Sequence, residues 1–151
     1  MNCDPSLIAD ILQSSRTIAI VGLSNKPERD SYEVAEYLQQ HGYRIIPVNP
    51  ACAGGHILGE HCYATLKEAA RDLGEQGVVI DVVNCFRKPE AVTELAQQAV
   101  EVSAQTLWLP LGVINEDAAR IARQAGLRVV MDRCMKIEHV REHGRQPGGA
   151  A

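Results

Sequence analysis

The 151-residue sequence predicts one α/β domain, built on a doubly wound, mostly parallel sheet with helices on both faces. Short apolar runs alternate along the chain with amphipathic stretches of helical periodicity. The run over 78–84 is apolar at nearly every position, which is typical of a parallel strand covered on both faces. No repeat or compositional break divides the sequence. We therefore expect one domain over residues 1–144, followed by a disordered tail over 145–151.

The first half of the chain is predicted to contain three helices and three strands. Asp4 and Pro5 form a typical helix start, because an N-cap side chain precedes a proline at the first helical position. Gly42 ends the second helix, and Thr65 is the N-cap expected for the third. The elements are a helix from residue 4, a strand over 17–21, a helix over 31–40, a strand over 44–48, a glycine-rich loop over 51–59, a short strand at 62–63 and a helix over 66–73.

The second half continues the alternation of strands and helices. Its elements are a strand over 78–84, a helix over 89–100, a strand over 106–109, a helix over 116–124, a strand over 128–131 and a helix over 135–142. Pro89 opens the first of these helices. Because right-handed crossovers join parallel strands, a crevice is expected at the carboxyl ends of the strands, where the strand order reverses.

The segment over 17–32 is the strongest functional signal in the sequence. An apolar strand ends at Gly22, and a loop with Lys26 and Arg29 leads into a helix. A strand, a tight turn and a helix N-terminus in this order present backbone N–H groups and a positive dipole to a phosphate. The turn has one glycine, whereas dinucleotide sites carry a triple-glycine signature. The segment therefore predicts a phosphate-bearing ligand rather than NAD in particular.

Two further loops at the same edge of the sheet refine this prediction. Arg87 and Lys88 follow the central strand, so we expect them to converge with Lys26 and Arg29 on the crevice, a pattern that suits several phosphates. The second strand ends at 48–50 without the Asp or Glu that holds the ribose of NAD. This absence disfavours an ordinary nicotinamide site. An NAD(P) site stays open as an alternative, because a cation in the first loop would suit a 2′-phosphate.

Five sequence blocks carry a resemblance to a known family. In chain order they are VGLSNKPERDSY, PVNP, VNCFR, WLPLGV and MDRCM. Together they resemble the small stand-alone CoA-binding proteins, which are similar to the N-terminal CoA-binding domain of the succinyl-CoA synthetase α-subunit. The resemblance covers 7–141. It implies a Rossmann-like domain that binds coenzyme A (CoA) or an acyl-CoA in the crevice.

The resemblance also implies roles for residues at the motif positions. The turn from Gly22 would hold the diphosphate, and Asn49 with Pro50 would lie against the adenosine. Phe86 and Arg87 would flank the adenosine or a phosphate. The complete expected site comprises Gly22, Leu23, Ser24 and Lys26 at the diphosphate, Arg29, Val48, Asn49, Pro50, Cys85, Phe86 and Arg87 along the crevice, and Gly112 near the pantetheine arm.

Composition and charge exclude several other classes of protein. The net charge of −4 argues against a nucleic-acid binder, whose surface would be broadly basic. No apolar run approaches the length of a membrane span, and the N-terminus has no signal-peptide pattern, so we expect a cytoplasmic protein with a small-molecule partner. A homodimer or an unidentified protein partner stays open. The five cysteines form no paired pattern, which is typical of free thiols in a reducing compartment.

Catalytic and metal-binding patterns are missing from the sequence. The histidines and cysteines fit no established zinc spacing, and no Ser, His and Asp set has a convincing order. We therefore expect a binding module, carrier or sensor rather than an enzyme. Cys85 and Cys134 each follow a strand and are expected to face the crevice. This placement keeps a second alternative open, a thiol-redox protein that forms a mixed disulfide with CoA.

Overall fold

The computed structural model describes residues 4–145, which form a parallel five-stranded sheet between two layers of helices. The helices are α1 (Pro5–Ser14), α2 (Asp30–Gln40), α3 (Leu66–Glu75), α4 (Val92–Glu101), α5 (Glu116–Gln124) and α6 (Met135–Arg145). The sheet contains β1 (Thr17–Val21), β2 (Arg44–Val48), β5 (Val82–Cys85), β6 (Thr106–Trp108) and β7 (Arg128–Val130), and a separate hairpin contains β3 (His56–Ile57) and β4 (Glu60–His61).

The strand order places a topological switch point between β1 and β5. The five strands lie in the order β2-β1-β5-β6-β7, and every pair in this sheet is parallel. Tyr63 forms a single parallel bridge with Val48 beyond β2. This bridge occupies the position of a sixth strand, as in a Rossmann-type arrangement. The chain moves outward from β1 on one side and outward from β5 on the other, so a crevice opens between their carboxyl ends.

Alternate residues of the strands point to opposite layers of helices. Ile18 and Ile20 pack in a core with α1, α2 and α6. Ala19 and Val21 pack in a second core with α3, α4 and α5. All five side chains of β1 are buried, as expected for a central parallel strand. The doubly wound α/β fold with helices on both faces is therefore confirmed.

Several local predictions differ from the structure. The loop expected over 51–59 contains a short 3-10 helix, Pro50–Cys52, and the first strand of the hairpin. The strand expected over 78–84 begins only at Val82. It follows Asp81, whose amide donates to the Thr17 carbonyl at 2.9 Å and whose carboxylate accepts the Arg16 and Thr17 amides at 2.8 and 3.0 Å. No described helix is long and apolar enough to cross a membrane. The tail expected over 145–151 lies outside the described residues, except for Arg145, which ends α6.

Candidate functional site

The turn at Gly22 joins the ends of three neighbouring strands. Its amide donates to the Val48 carbonyl at 2.7 Å, and the Phe86 amide donates to the Val21 carbonyl at 2.9 Å. Gly22 has a φ of +86°, and a Cβ atom added there would lie 2.1 Å from the Phe86 carbonyl oxygen. Both the left-handed backbone and this close approach require glycine. The turn is therefore fixed against β5 at the switch point.

The loop after Gly22 folds back onto the start of α2. The Ser24 amide donates to the Ser31 hydroxyl at 3.0 Å, and the Lys26 amide donates to the Ser24 hydroxyl at the same distance. Arg29 occupies the N-cap position of α2, but its side chain makes no capping hydrogen bond. The first turn of α2 therefore lacks a side-chain cap where it meets the crevice, and it carries two carboxylates of its own, Asp30 and Glu33.

A cleft of about 640 Å³ opens where this loop faces the loop after β5. We name it the cation cleft. One wall comes from the β1–α2 loop and the first turn of α2, and the other from the loops that follow β5 and β6. Its lining residues are Gly22, Ser24, Lys26, Glu28, Arg29, Asp30, Ser31, Phe86, Arg87, Lys88, Pro110, Leu111 and Val113.

The charge of the cation cleft is opposite in sign to the net charge of the chain. Four cations line it, together with two carboxylates, Glu28 and Asp30. None of the ion pairs formed within residues 4–145 involves any of these cations. The cations are Lys26, Arg29, Arg87 and Lys88, and all four are exposed. Unpaired cations on two facing loops of an acidic protein provide a local site for an anion.

A smaller recess of about 240 Å³ adjoins the cation cleft on the side of β2 and is named the strand recess. Val48 and Pro50 line one side of it, and Leu66 and Leu95 belong to the helices that cover it. Arg87 lines both the strand recess and the cation cleft, so the two cavities meet at this side chain. Thr65, Glu94 and Gln98 add polar groups to its otherwise apolar lining, so the recess suits a planar ring with polar edges beside a cation.

A third cavity of about 290 Å³ opens on the opposite side of the cation cleft. Phe86, Pro110 and Leu111 line both cavities, so they form a shared lip. Beyond this lip the cavity extends between α2 and the first turn of α6, where Val34 and Ile137 contribute apolar walls. We name it the apolar chamber. The three cavities form a continuous series along the carboxyl edge of the sheet.

Most of the residues expected at the site line this series of cavities. Gly22, Ser24, Lys26, Arg29, Phe86 and Arg87 line the cation cleft, and Val48 and Pro50 line the strand recess. The remaining four, Leu23, Asn49, Cys85 and Gly112, line none of the three cavities.

Each of these four residues has another structural role. Leu23 is fully buried in the core beneath α2. The Asn49 amide group donates to the Leu23 carbonyl at 3.0 Å and accepts from the Ala51 amide at 3.0 Å, so it fixes the two loops together. Gly112 has a φ of +85° and its amide donates to the Asp132 carboxylate at 2.7 Å. An added Cβ at Gly112 would meet no atom within 4 Å, so the conformation rather than space favours glycine.

The expectation that Cys85 faces the crevice is corrected by the structure. Its side chain is completely buried in the core beneath α3 and α4, because β5 directs this residue away from the lip at Phe86. Burial raises the pKa of the Cys85 thiol to about 12. Cys134 is half-buried and lines the apolar chamber. Among the four cysteines within residues 4–145, Cys134 is therefore the one that lines these cavities.

The residues of the cavities that the sequence does not identify include Ser31, Val34 and Ile137. The sequence predicts Ser31 only as the start of a helix, and nothing in its spacing to Ser24 indicates that its hydroxyl holds the loop. The sequence pattern predicts Val34 and Ile137 only as positions within helices. Ile137 is 46% exposed on the last helix, and exposed apolar side chains on helices often mark contacts. No group of three or more metal-binding side chains occurs within the described residues.

Comparison with known proteins gives the family. A family model described as a CoA binding domain matches residues 16–140. The chain is 39% identical to the uncharacterized protein YneT of Bacillus subtilis, over 87% of this chain and 91% of that protein. A hypothetical protein of Pyrococcus horikoshii has a similar structure, with a TM-score of 0.82, 37% identity and 92% of each chain covered. A protein of Thermus thermophilus also has a TM-score of 0.82, at 29% identity, with 92% of this chain and 98% of that chain covered. The chain belongs to the CoA binding domain family.

Proposed function

We propose that this protein binds CoA or an acyl-CoA as a non-catalytic module, acting as a carrier or sensor. The supporting observation is the cation cleft at the switch point, where four unpaired cations on two loops surround a tight glycine turn. The CoA diphosphate lies over the turn from Gly22 to Ser24. Lys26 and Arg29 approach it from one wall and Arg87 from the other. Charge-assisted hydrogen bonds from these groups are among the strongest available to a phosphate.

The adenosine end of CoA occupies the strand recess in this proposal. Val48, Pro50 and Leu95 provide apolar surfaces for the adenine ring. Arg87 lines both cavities and is positioned to reach either the diphosphate or the 3′-phosphate of the ribose. The pantetheine arm then leaves the cation cleft in the opposite direction, across the lip of Phe86, Pro110 and Leu111.

The residue at the end of β2 argues for CoA over NAD. Asn49 stands where a nicotinamide site has an acidic side chain, and its amide is occupied by Leu23 and Ala51. CoA does not need such a carboxylate, because its ribose carries a 3′-phosphate that a cation can bind. NADP competes with CoA for this assignment more closely than NAD does, since its 2′-phosphate also suits a cation.

Calorimetric titration of the wild-type chain tests the proposal. CoA, dephospho-CoA, NADP and NAD are compared at low ionic strength, where contacts between exposed charges are screened least. We expect CoA to bind most tightly, dephospho-CoA more weakly and NAD most weakly. Tighter binding of NAD or NADP than of CoA would contradict the proposal.

The thiol-redox alternative now rests on Cys134, which lines the apolar chamber. Peroxide would oxidise this thiol to a sulfenic acid, and the CoA thiol would then attack its sulfur, forming a mixed disulfide and releasing water. Intact-protein mass spectrometry after treatment with CoA and peroxide tests this step. Mass addition that is lost in Cys134→Ser would favour the alternative, and absence of addition to the wild type would exclude it.

A further inference from the structure

The apolar chamber continues the cation cleft in the direction of the CoA sulfur. Phe86, Pro110 and Leu111 line both cavities, whereas Val34 and Ile137 line the chamber alone. With the adenosine in the strand recess and the diphosphate in the cation cleft, the pantetheine arm crosses the shared lip. Its sulfur, and any group attached to that sulfur, therefore reaches the chamber.

The walls of the apolar chamber are mainly hydrocarbon. Val34 and Phe86 form its inner side, and Leu111 and Ile137 form its mouth. The latter two side chains are 64% and 46% exposed, so large apolar surface faces solvent at the end of the proposed channel. An apolar group that entered the chamber would remove part of this surface from water, which is a favourable change.

The charged groups around the apolar chamber disfavour an acidic occupant. Asp30 and Glu33 bring two carboxylates from the first turn of α2, and Lys136 brings one ammonium group from α6. The Lys136 nitrogen lies 5.6 Å from the centre of the Tyr37 ring, in a cation–π arrangement. The carboxylates outnumber the ammonium at this cavity, so a ligand carboxylate would be repelled.

We infer that the apolar chamber is an acyl-binding site, and that the preferred ligand is a short, uncharged acyl-CoA rather than free CoA. This inference rests on the proposed function, because it takes the orientation of CoA from it. A cavity of about 290 Å³ has room for a chain of a few carbons, such as butyryl. Partial burial of three carbon atoms corresponds to about tenfold tighter binding than that of free CoA.

Two ligands with acyl chains of the same length give the sharpest test. Butyryl-CoA and succinyl-CoA both carry four-carbon acyl groups, but one ends in a methyl group and the other in a carboxylate. By calorimetry we expect butyryl-CoA to bind about tenfold more tightly than CoA, and succinyl-CoA to bind no more tightly than CoA. Succinyl-CoA that bound as tightly as butyryl-CoA would overturn the inference.

Two variants of α6 test whether the apolar chamber is the source of the preference for butyryl-CoA over CoA. Ile137→Ser removes an exposed wall of the apolar chamber, and Val140→Ser makes the same kind of change one turn further along, outside the chamber. We expect Ile137→Ser to lose the preference for butyryl-CoA over CoA, and Val140→Ser to keep that preference. Urea unfolding of both variants shows whether the fold is intact. A preference that survived in Ile137→Ser would overturn the inference.

Alkylation of Cys134 gives a second readout of the apolar chamber. Cys134 lines the chamber, and the half-buried Cys52 lies outside it and is the internal control. We expect butyryl-CoA to slow the reaction of Cys134 with iodoacetamide several-fold more than desulfo-CoA does, with no effect on Cys52. Equal protection by both ligands would contradict an acyl site.

If CoA and butyryl-CoA both fail to bind, the proposed function itself fails, whereas tight binding of CoA without a preference for butyryl-CoA overturns only this inference.

Discussion

Replacement of Gly22 by alanine should destabilise the fold more than a matched glycine replacement elsewhere. At this position an added Cβ would lie 2.1 Å from the carbonyl oxygen of Phe86 and 3.1 Å from its carbonyl carbon. Real Cβ atoms do not approach backbone atoms so closely, so the turn must move away from β5. The movement strains the 2.7 Å hydrogen bond from the Gly22 amide and the 2.9 Å bond from the Phe86 amide.

The magnitude follows from two separate penalties. A left-handed conformation costs an L-residue about 1–2 kcal/mol, and Gly22 has a φ of +86°. Loss of one buried backbone hydrogen bond adds about 1–3 kcal/mol. We therefore expect Gly22→Ala to lose about 2–5 kcal/mol of unfolding free energy, a large part of what a small domain has.

Gly42 provides the matched control. It has a φ of +95°, but an added Cβ would meet no atom within 4 Å. Gly42→Ala should therefore lose only the conformational penalty, about 1–2 kcal/mol. Urea unfolding followed by circular dichroism measures both variants. Equal losses of stability in the two variants would refute the conclusion that the turn is pressed against Phe86.

Three further predictions concern pH, thiols and salt. Burial lowers the pKa of His139 to about 4, so between this value and its ordinary pKa the unfolded chain binds a proton that the folded chain excludes. The free energy of unfolding should therefore fall by about 1–2 kcal/mol between pH 7.5 and pH 5. Urea unfolding of His139→Phe should show a smaller fall over the same range. Because burial raises the pKa of Cys85 to about 12, this thiol should stay unmodified by iodoacetamide at pH 8 while Cys134 reacts; peptide mass spectrometry that found the reverse order would contradict the burial described here. The affinity for CoA should fall as ionic strength rises, because Lys26 and Arg87 are exposed, and an affinity independent of salt in calorimetry would contradict phosphate binding by these side chains.

The strands and the position of the crevice follow from the sequence because apolar periodicity and glycine placement determine them. Thr17–Val21 is predicted and observed with the same ends, since a strand buried on both faces leaves no polar position inside it. Boundaries set by side-chain contacts are harder to predict. The carboxylate of Asp81, just before β5 begins, accepts two amides at the start of β1, and its partners are more than sixty residues away in the chain.

The sequence likewise predicts one part of the candidate site and leaves another part open. The cations of the cleft lie in the loops directly after β1 and β5, so strand order alone brings Lys26 and Arg87 to one cavity. The direction of a side chain at a strand end is less certain from the sequence, because a shift of one residue reverses it. Cys85 is such a case, since it points into the core while the next residue, Phe86, forms the lip. The apolar chamber depends on packing between α2 and α6, which no local pattern specifies.

The central claim is that cations from two loops hold the phosphates of one CoA molecule. Titration of CoA into the Lys26→Ala/Arg87→Ala double variant tests it most directly, with Arg123→Ala, an exposed cation in the last turn of α5, as the control. Each removed contact should cost about 1–3 kcal/mol, so we predict binding weakened at least about thirtyfold in the double variant and unchanged in the control. Wild-type affinity in a folded double variant would contradict the claim.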